Sequence, residues 1–192
     1  MKELTKEHKK ILLETAKKAI EDVFEGRVEP PDPRLYPPPL SETGASFVTL
    51  RKQGQLRGCI GSVEPYQPLI LDVYKNAIAA AFRDPRFPPL SPEEWPEVEV
   101  EVSVLSPKIP FPFKGYADLL ARLPVGVGVV LEHPLGRATY LPEVWKDLPD
   151  KRLFLKTLAQ KAGLDEWVYD DPRTKIYIYT ADAFTEKELE EE

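Results

Sequence analysis

The chain has 192 residues, 42% of them hydrophobic, and a formal charge of −6 at pH 7. That length fits one domain, or one domain of two lobes, with room for a sizeable core. The acidic balance argues against a nucleic-acid binder and against docking on anionic membranes, and no apolar run approaches the ~18 residues of a bilayer span. A single cysteine excludes an internal disulfide and fits a reducing compartment, so a cytoplasmic location is expected. The opening MKELTKEHKK has no apolar h-region and does not read as a signal peptide. His8 and His133 stand apart and no Cys/His pair has ligand spacing, so no metal is expected, and nothing indicates a cofactor. One Asn and four Gln against 21 Pro suggest a thermophilic source.

Residues 5–25 read as an amphipathic helix, with Thr5 as N-cap, an apolar stripe through Leu12, Ala16, Ala19, Ile20 and Val23, and Gly26 as the stop. Residues 27–45 hold six prolines between Pro30 and Pro39 and predict an extended connector, pinned by Leu35, Tyr36 and Leu40. A hairpin follows, strands 46–52 and 56–63 about the turn Gln53-Gly54-Gln55. Pro68 suits the first position of a helix ending before Asp84-Pro85. Residues 83–90 form a rigid loop, and Ser91 opens a short turn.

Residues 97–105 alternate valine with Glu97, Glu99, Glu101 and Ser103, which predicts a strand with one buried and one solvated face. Beyond it come a short helix at 116–123, strands at 125–132 and 137–141, and a helical stretch at 142–148. A helix over 151–162 turns Leu153, Phe154, Leu158 and Ala162 inward, and a strand spans 174–180. The tyrosines of that last strand suit cross-strand packing better than base stacking. An acidic tail, 186–192, is expected to fray. Strands and helices interleave without regular βαβ spacing, so the fold class is α+β: a mainly antiparallel sheet with flanking helices.

The chemistry concentrates in Arg57-Gly58-Cys59-Ile60-Gly61-Ser62. On an extended strand Arg57 and Cys59 share one face, and Leu56, Gly58 and Ile60 the other. A guanidinium beside a thiol favours the thiolate, and glycines let a backbone or ligand approach closely. The bland alternative is a small buried hydrophobe, the usual fate of a cysteine inside a cell. Arg83 and Arg86 suit a carboxylate or phosphate; equally, they brace their loop by bonding Asp84 or nearby carbonyls, since prolines there lack N–H groups.

Residues 56–61, the loop around Asp84 and Arg86-Phe87-Pro88-Pro89-Leu90, and Val125-Gly126-Val127 form an ordered set with Ala138 to Trp145 and Lys161-Ala162-Gly163-Leu164. This set resembles the AMMECR domain family over about residues 1–185. The resemblance implies a compact α+β fold of two unequal lobes with a cleft between them, and no established activity. It also implies Memo-type and radical-SAM proteins as companions in a joint process. The family often carries Gly-Val-His-Gly where this chain has Gly126-Val127-Gly128, so a Cys–His nucleophile is weakened; His133 lies five residues further on.

Three functions are thus in view. One is a binding cleft for a small molecule or protein partner around residues 57–62, with Gly58, Gly61, Ser62, Arg83 and Arg86 as contacts. Another is an enzyme or covalent carrier using Cys59, activated by Arg57. The third, RNA binding, is opposed by the charge. The loop 83–90 is expected beside residues 57–62.

Overall fold

The computed structural model describes residues 3–191, which cluster into two compact units, 3–107 with 182–191, and 108–181. In the first unit, helix α1 (Lys6–Glu25) starts on a reciprocal Thr5–His8 capping box and ends on Gly26 in the left-handed region. The connector carries one 3-10 turn at Pro33–Leu35. Leu40 is fully buried and Tyr36 packs on the core, but Leu35 is 79% exposed and pins nothing.

Strand β1 (Thr43–Lys52) pairs antiparallel with β2 (Gln55–Gly61). Gln53 and Gly54 both have positive φ, the combination a tight hairpin turn needs. The chain from Gly61 runs on along β1, where β3 (Gln67–Pro68) pairs with Thr43 and Gly44. Helix α2 (Leu69–Phe82) then reverses across the sheet. Strand β4 (Val98–Leu105) flanks β1 on its other side, and β9 (Ala181–Thr185) completes the order β2-β1-β4-β9, with β3 also on β1. Helices α1 and α2 bury their apolar faces with Val48, Leu50, Val100, Val102 and Val104.

Two expectations fail in this unit. The tail does not simply fray: Thr185 caps helix α6 (Glu186–Glu190), and Leu189 docks into the core. Leu189 and Phe184 supply the apolar contacts that composition alone did not weigh. The glutamate face of β4 is not solvated throughout either. Glu97 and Glu99 are exposed, but Glu101 is 8% and Ser103 3% exposed. Arg51 supplies the counter-charge at 3.2 Å that makes a buried carboxylate tolerable.

The second unit holds a four-stranded antiparallel sheet, β5 (Ile109–Pro110), β8 (Lys175–Tyr179), β6 (Gly128–His133) and β7 (Gly136–Tyr140), in that order. Helices α3 (Gly115–Arg122), α4 (Val144–Asp147) and α5 (Lys151–Lys161) complete it. Its core centres on Phe154, stacked on Trp145 at 3.7 Å, with Tyr169 fully buried. Strand β6 starts three residues later than expected, because Gly126 turns the chain at φ 96° and leaves Val125 61% exposed. In α5 the inward residue is Leu155, while Leu153 in the first turn is 46% exposed. Tyr179 packs beneath Gly128 and bonds the Thr139 hydroxyl at 2.9 Å, the cross-strand role expected of it.

Candidate functional site

Strand β2 is an edge strand of the first sheet, and residues 59–62 are half-buried along it. Cys59 pairs with Thr49, and Thr49 in turn with Glu101, so the three form one lateral row across β2, β1 and β4. The Cys59 Sγ lies 3.2 Å from the Thr49 hydroxyl oxygen. Thr49 and Glu101 are 1% and 8% exposed. On the opposite face Ile60 packs on the α1–α2 core.

Gly58 explains why the motif needs a glycine. A Cβ there would stand 2.2 Å from the Ala80 carbonyl oxygen in α2. At Gly61 it would stand 2.2 Å from the Ser46 carbonyl. Neither residue has positive φ, so close approach, not backbone conformation, is the constraint. The same packing brings the end of α2 back over β2. The ~21 Å length of α2 retraces the path the chain took from β2 to β3.

The loop after α2 therefore meets the free edge of β2. Asp84, 4% exposed, accepts the Cys59 backbone N–H at 3.0 Å. Arg86 donates to the Cys59 carbonyl at 3.3 Å and to Asp84 at 2.8 Å. In an antiparallel ladder, alternate residues of an edge strand turn N–H and C=O outward, where a further strand would pair. Here one carboxylate and one guanidinium take that strand's place. The Arg86 guanidinium, with the Cys59 and Arg86 backbone N–H groups, holds the Asp84 carboxyl at about 2 against the opposing pull of burial. The same pairing raises Arg86.

Arg57 sits where the β1–β2 register shifts between Leu50 and Arg51, and simple alternation stops there. Leu56 is consequently 43% exposed rather than in the core with Gly58 and Ile60. The Arg57 guanidinium donates to Glu94 at 3.1 and 3.2 Å and to the Pro88 carbonyl at 2.9 Å. Its Nη1 is buried with no hydrogen-bond partner among the described residues. Glu94 is held at about 2, chiefly by Arg57, and exchanges capping bonds with Ser91. Two guanidinium carbons approach the Phe87 ring, Arg57 at 5.8 Å and Arg86 at 5.5 Å from its centre.

Of the residues singled out from sequence, Arg57, Gly58, Cys59, Gly61, Ser62 and Arg86 thus gather around one edge strand and one loop. Arg57 and Arg86 serve as braces to Glu94, Asp84 and carbonyls. Ser62 accepts the Glu64 N–H at 3.1 Å and shapes the turn. Arg83 is exposed, and its side chain makes no hydrogen bond or ion pair among the described residues. His133 belongs to the second unit and its side chain is fully buried. Its Nδ1 accepts the Leu135 N–H at 3.1 Å, so Nε2 carries the proton donated to Asp171 at 2.8 Å. Both ring nitrogens are committed to the turn.

Sequence reasoning put Glu101 on a solvated face and left Thr49 unremarked, although the expected hairpin about residues 53–55 already sets Thr49 opposite Cys59. It also passed over a buried network around Asp72, 1% exposed. Asp72 accepts from Ser46 at 2.6 Å, Gln67 at 2.8 Å and Asn76 at 3.1 Å, and burial still pushes its carboxyl up. The signal was present: Asp72 and Asn76 stand four apart, on one face of a helix whose only other charged residue is Lys75.

Among the described residues no group of three or more His, Cys, Asp or Glu side chains could hold a metal ion, and no helix is long and apolar enough to cross a membrane. The AMMECR1 family profile matches residues 13–184. A protein of Methanothermobacter thermautotrophicus is 39% identical over 185 residues, covering 95% of this chain and 96% of the relative. One from Thermococcus gammatolerans is 43% identical over 190 residues, covering 92% and 89%. The crystal structure of the uncharacterized protein PH0010 from Pyrococcus horikoshii superposes with a TM-score of 0.84 at 36% identity, covering 93% of this chain and 91% of that one.

Proposed function

This chain belongs to the AMMECR1 family, and from that premise we propose that residues 57–62 form a binding surface for a small molecule or a partner protein rather than a catalytic centre. The observation that carries this reading is the double clamp on Cys59: its N–H and C=O are both held by the Asp84–Arg86 pair while the residue stays half-buried. A surface fixed before contact loses little entropy on binding. The Arg86 guanidinium and the Nε and Nη2 groups of Arg57 are spent as braces, and Arg83 is the exposed cation left for a ligand among the three arginines. The family resemblance suggests Memo-type and radical-SAM proteins as partners.

The second reading, covalent use of Cys59, draws on the Thr49 hydroxyl beside the sulfur. The two separate in one experiment. A purified Memo-type protein is titrated against the wild-type chain, Cys59→Ser, and wild type labelled at Cys59 with a bulky maleimide. A binding surface predicts an unchanged affinity for Cys59→Ser and loss on labelling. Loss in Cys59→Ser with normal folding favours the thiol. Binding that survives the label places the contact elsewhere and removes the proposal.

A further inference from the structure

Two adjoining cavities lie away from β2, along α1 and α6. One, of about 510 Å³, is lined by Leu13, Trp95, Val98 and Val100 at its apolar wall and by Glu21, Glu99 and Glu190 among its charged rim. The other, of about 310 Å³, continues past Leu13 to Leu189, and the two share Leu13, Lys17, Glu186 and Glu190. The first lies within the ~300–1,000 Å³ typical of small-molecule sites.

The charges at its rim do not cancel. Lys17 is taken by Glu186 at 2.9 Å. Glu21, Glu99 and Glu190 have no ion-pair partner among the described residues, and Lys187 is the one uncommitted cation lining the cavity against those three carboxylates. Like charges gathered at a concave, partly apolar wall focus a field that raises the local concentration of the opposite charge. An indole in the same wall adds attraction for a cation. Toward Leu189 the rim is balanced, three lysines against three glutamates, and the floor is leucine.

We propose that this groove binds an amphipathic organic cation, its charged head beside Trp95 and the rim carboxylates and its apolar body over Leu13 toward Leu189. The chemistry is that of a primary amine on an aliphatic chain. The polarity is fixed: the head belongs at the acidic end, since the leucine end offers no net charge to hold it. The groove lies wholly within the first unit and uses none of residues 57–62, so it stands or falls apart from the reading given above.

The test titrates the isotope-labelled chain with hexylammonium, and with 1-hexanol and hexanoate as neutral and anionic probes of the same length. The readout is the Trp95 indole N–H resonance, identified by its loss in Trp95→Phe. Hexylammonium is expected to shift it saturably, with both other probes about tenfold weaker or worse, and 0.5 M salt to weaken the amine alone. The triple variant Glu21→Gln, Glu99→Gln, Glu190→Gln is expected to lose about tenfold in affinity, three exposed charges each contributing a modest share. These are surface positions, and a thermal unfolding curve confirms the fold; Glu190→Gln alone repeats the test with a smaller drop. No saturable shift, equal response to hexanol, or undiminished binding in the glutamine variants overturns the proposal.

Discussion

The edge strands of the two sheets use the same steric device and different electrostatics. In β2, Gly58 is pressed under the last turns of α2, its absent Cβ 2.2 Å from the Ala80 carbonyl oxygen. In β7, Gly136 is pressed under the end of α5, its absent Cβ 2.1 Å from the Ala162 carbonyl. Each helix end thus packs closely on the face of an edge strand, leaving the strand's outward N–H and C=O groups to be met by other means. The outward groups are finished differently. On β7 the exposed Lys161 donates to the Thr139 carbonyl at 3.0 Å. On β2 the buried carboxylate of Asp84, locked by Arg86, takes a backbone N–H, and Arg86 takes the carbonyl. One edge is met by an exposed surface charge, the other by a buried carboxylate paired with a guanidinium. That pair stands at residues 57–62, where the binding surface is proposed, and a binding surface works best when its shape is held in advance.

Alanine at the two glycines should produce the largest losses. Gly58→Ala and Gly136→Ala each force a helix end away from its strand, and about 3 kcal/mol each is expected in denaturant unfolding. A neutral outcome at either would show that helix end to be free to move. Asp84→Asn keeps an acceptor for Cys59 but removes the charge that Arg86 pairs with. A loss of about 1–3 kcal/mol is expected, moderated because Arg86 is half exposed. Hydrogen exchange should localise it to the Cys59 amide and spare Thr139.

Acid should distinguish the edges in the same way. Asp84 and Glu94 are both held at about 2, below the ~4 of an unfolded carboxylate. Their contribution is therefore fully present above about pH 4 and lost as pH falls through about 2, because the unfolded chain takes up the protons first. Exchange at Cys59 should accelerate over that window relative to Thr139, and Asp84→Asn should flatten the difference. Parallel acceleration at both amides would deny the clamp its role. The smallest effect is expected from Lys161→Met, at most about 0.5 kcal/mol, since exposed charge contacts contribute little.

Much of the fold was legible because it is written locally. Thr5 and Gly26 bound α1 as capping chemistry requires, Gln53-Gly54 makes the hairpin turn, and the valine alternation marks β4. What escaped is what only tertiary pairing decides. The register shift at Arg57 broke the alternation that set it on one face with Cys59. Glu101 reads as solvated until β1 brings Arg51 beside it. The acidic tail reads as frayed until Leu189 finds the core. For the candidate site, the brace reading of Arg86 was visible in the loop's missing N–H groups, and Asp84 is the partner found. Thr49 was legible and went unread: a hairpin about Gln53-Gly54-Gln55 sets Thr49 opposite Cys59, the pairing observed.

The network around Asp72 gives the first unit a property that apolar packing alone would not. One carboxylate holds Ser46 of β1, Gln67 of β3 and Asn76 of its own helix at once. An apolar helix on an apolar sheet can creep by a turn at small cost, since leucine on valine fits in more than one place. A creep of α2 would leave a carboxylate in hydrocarbon with its three donors gone. The network is therefore an indexing pin: it allows α2 one seat on the sheet, and that seat sets where Ala80 meets Gly58 and where Asp84 reaches Cys59. Replacing Asp72 and Asn76 together with leucine should leave a folded unit whose helix no longer keeps a single address, visible as doubled or broadened amide resonances across 58–61 well away from the substituted side chains.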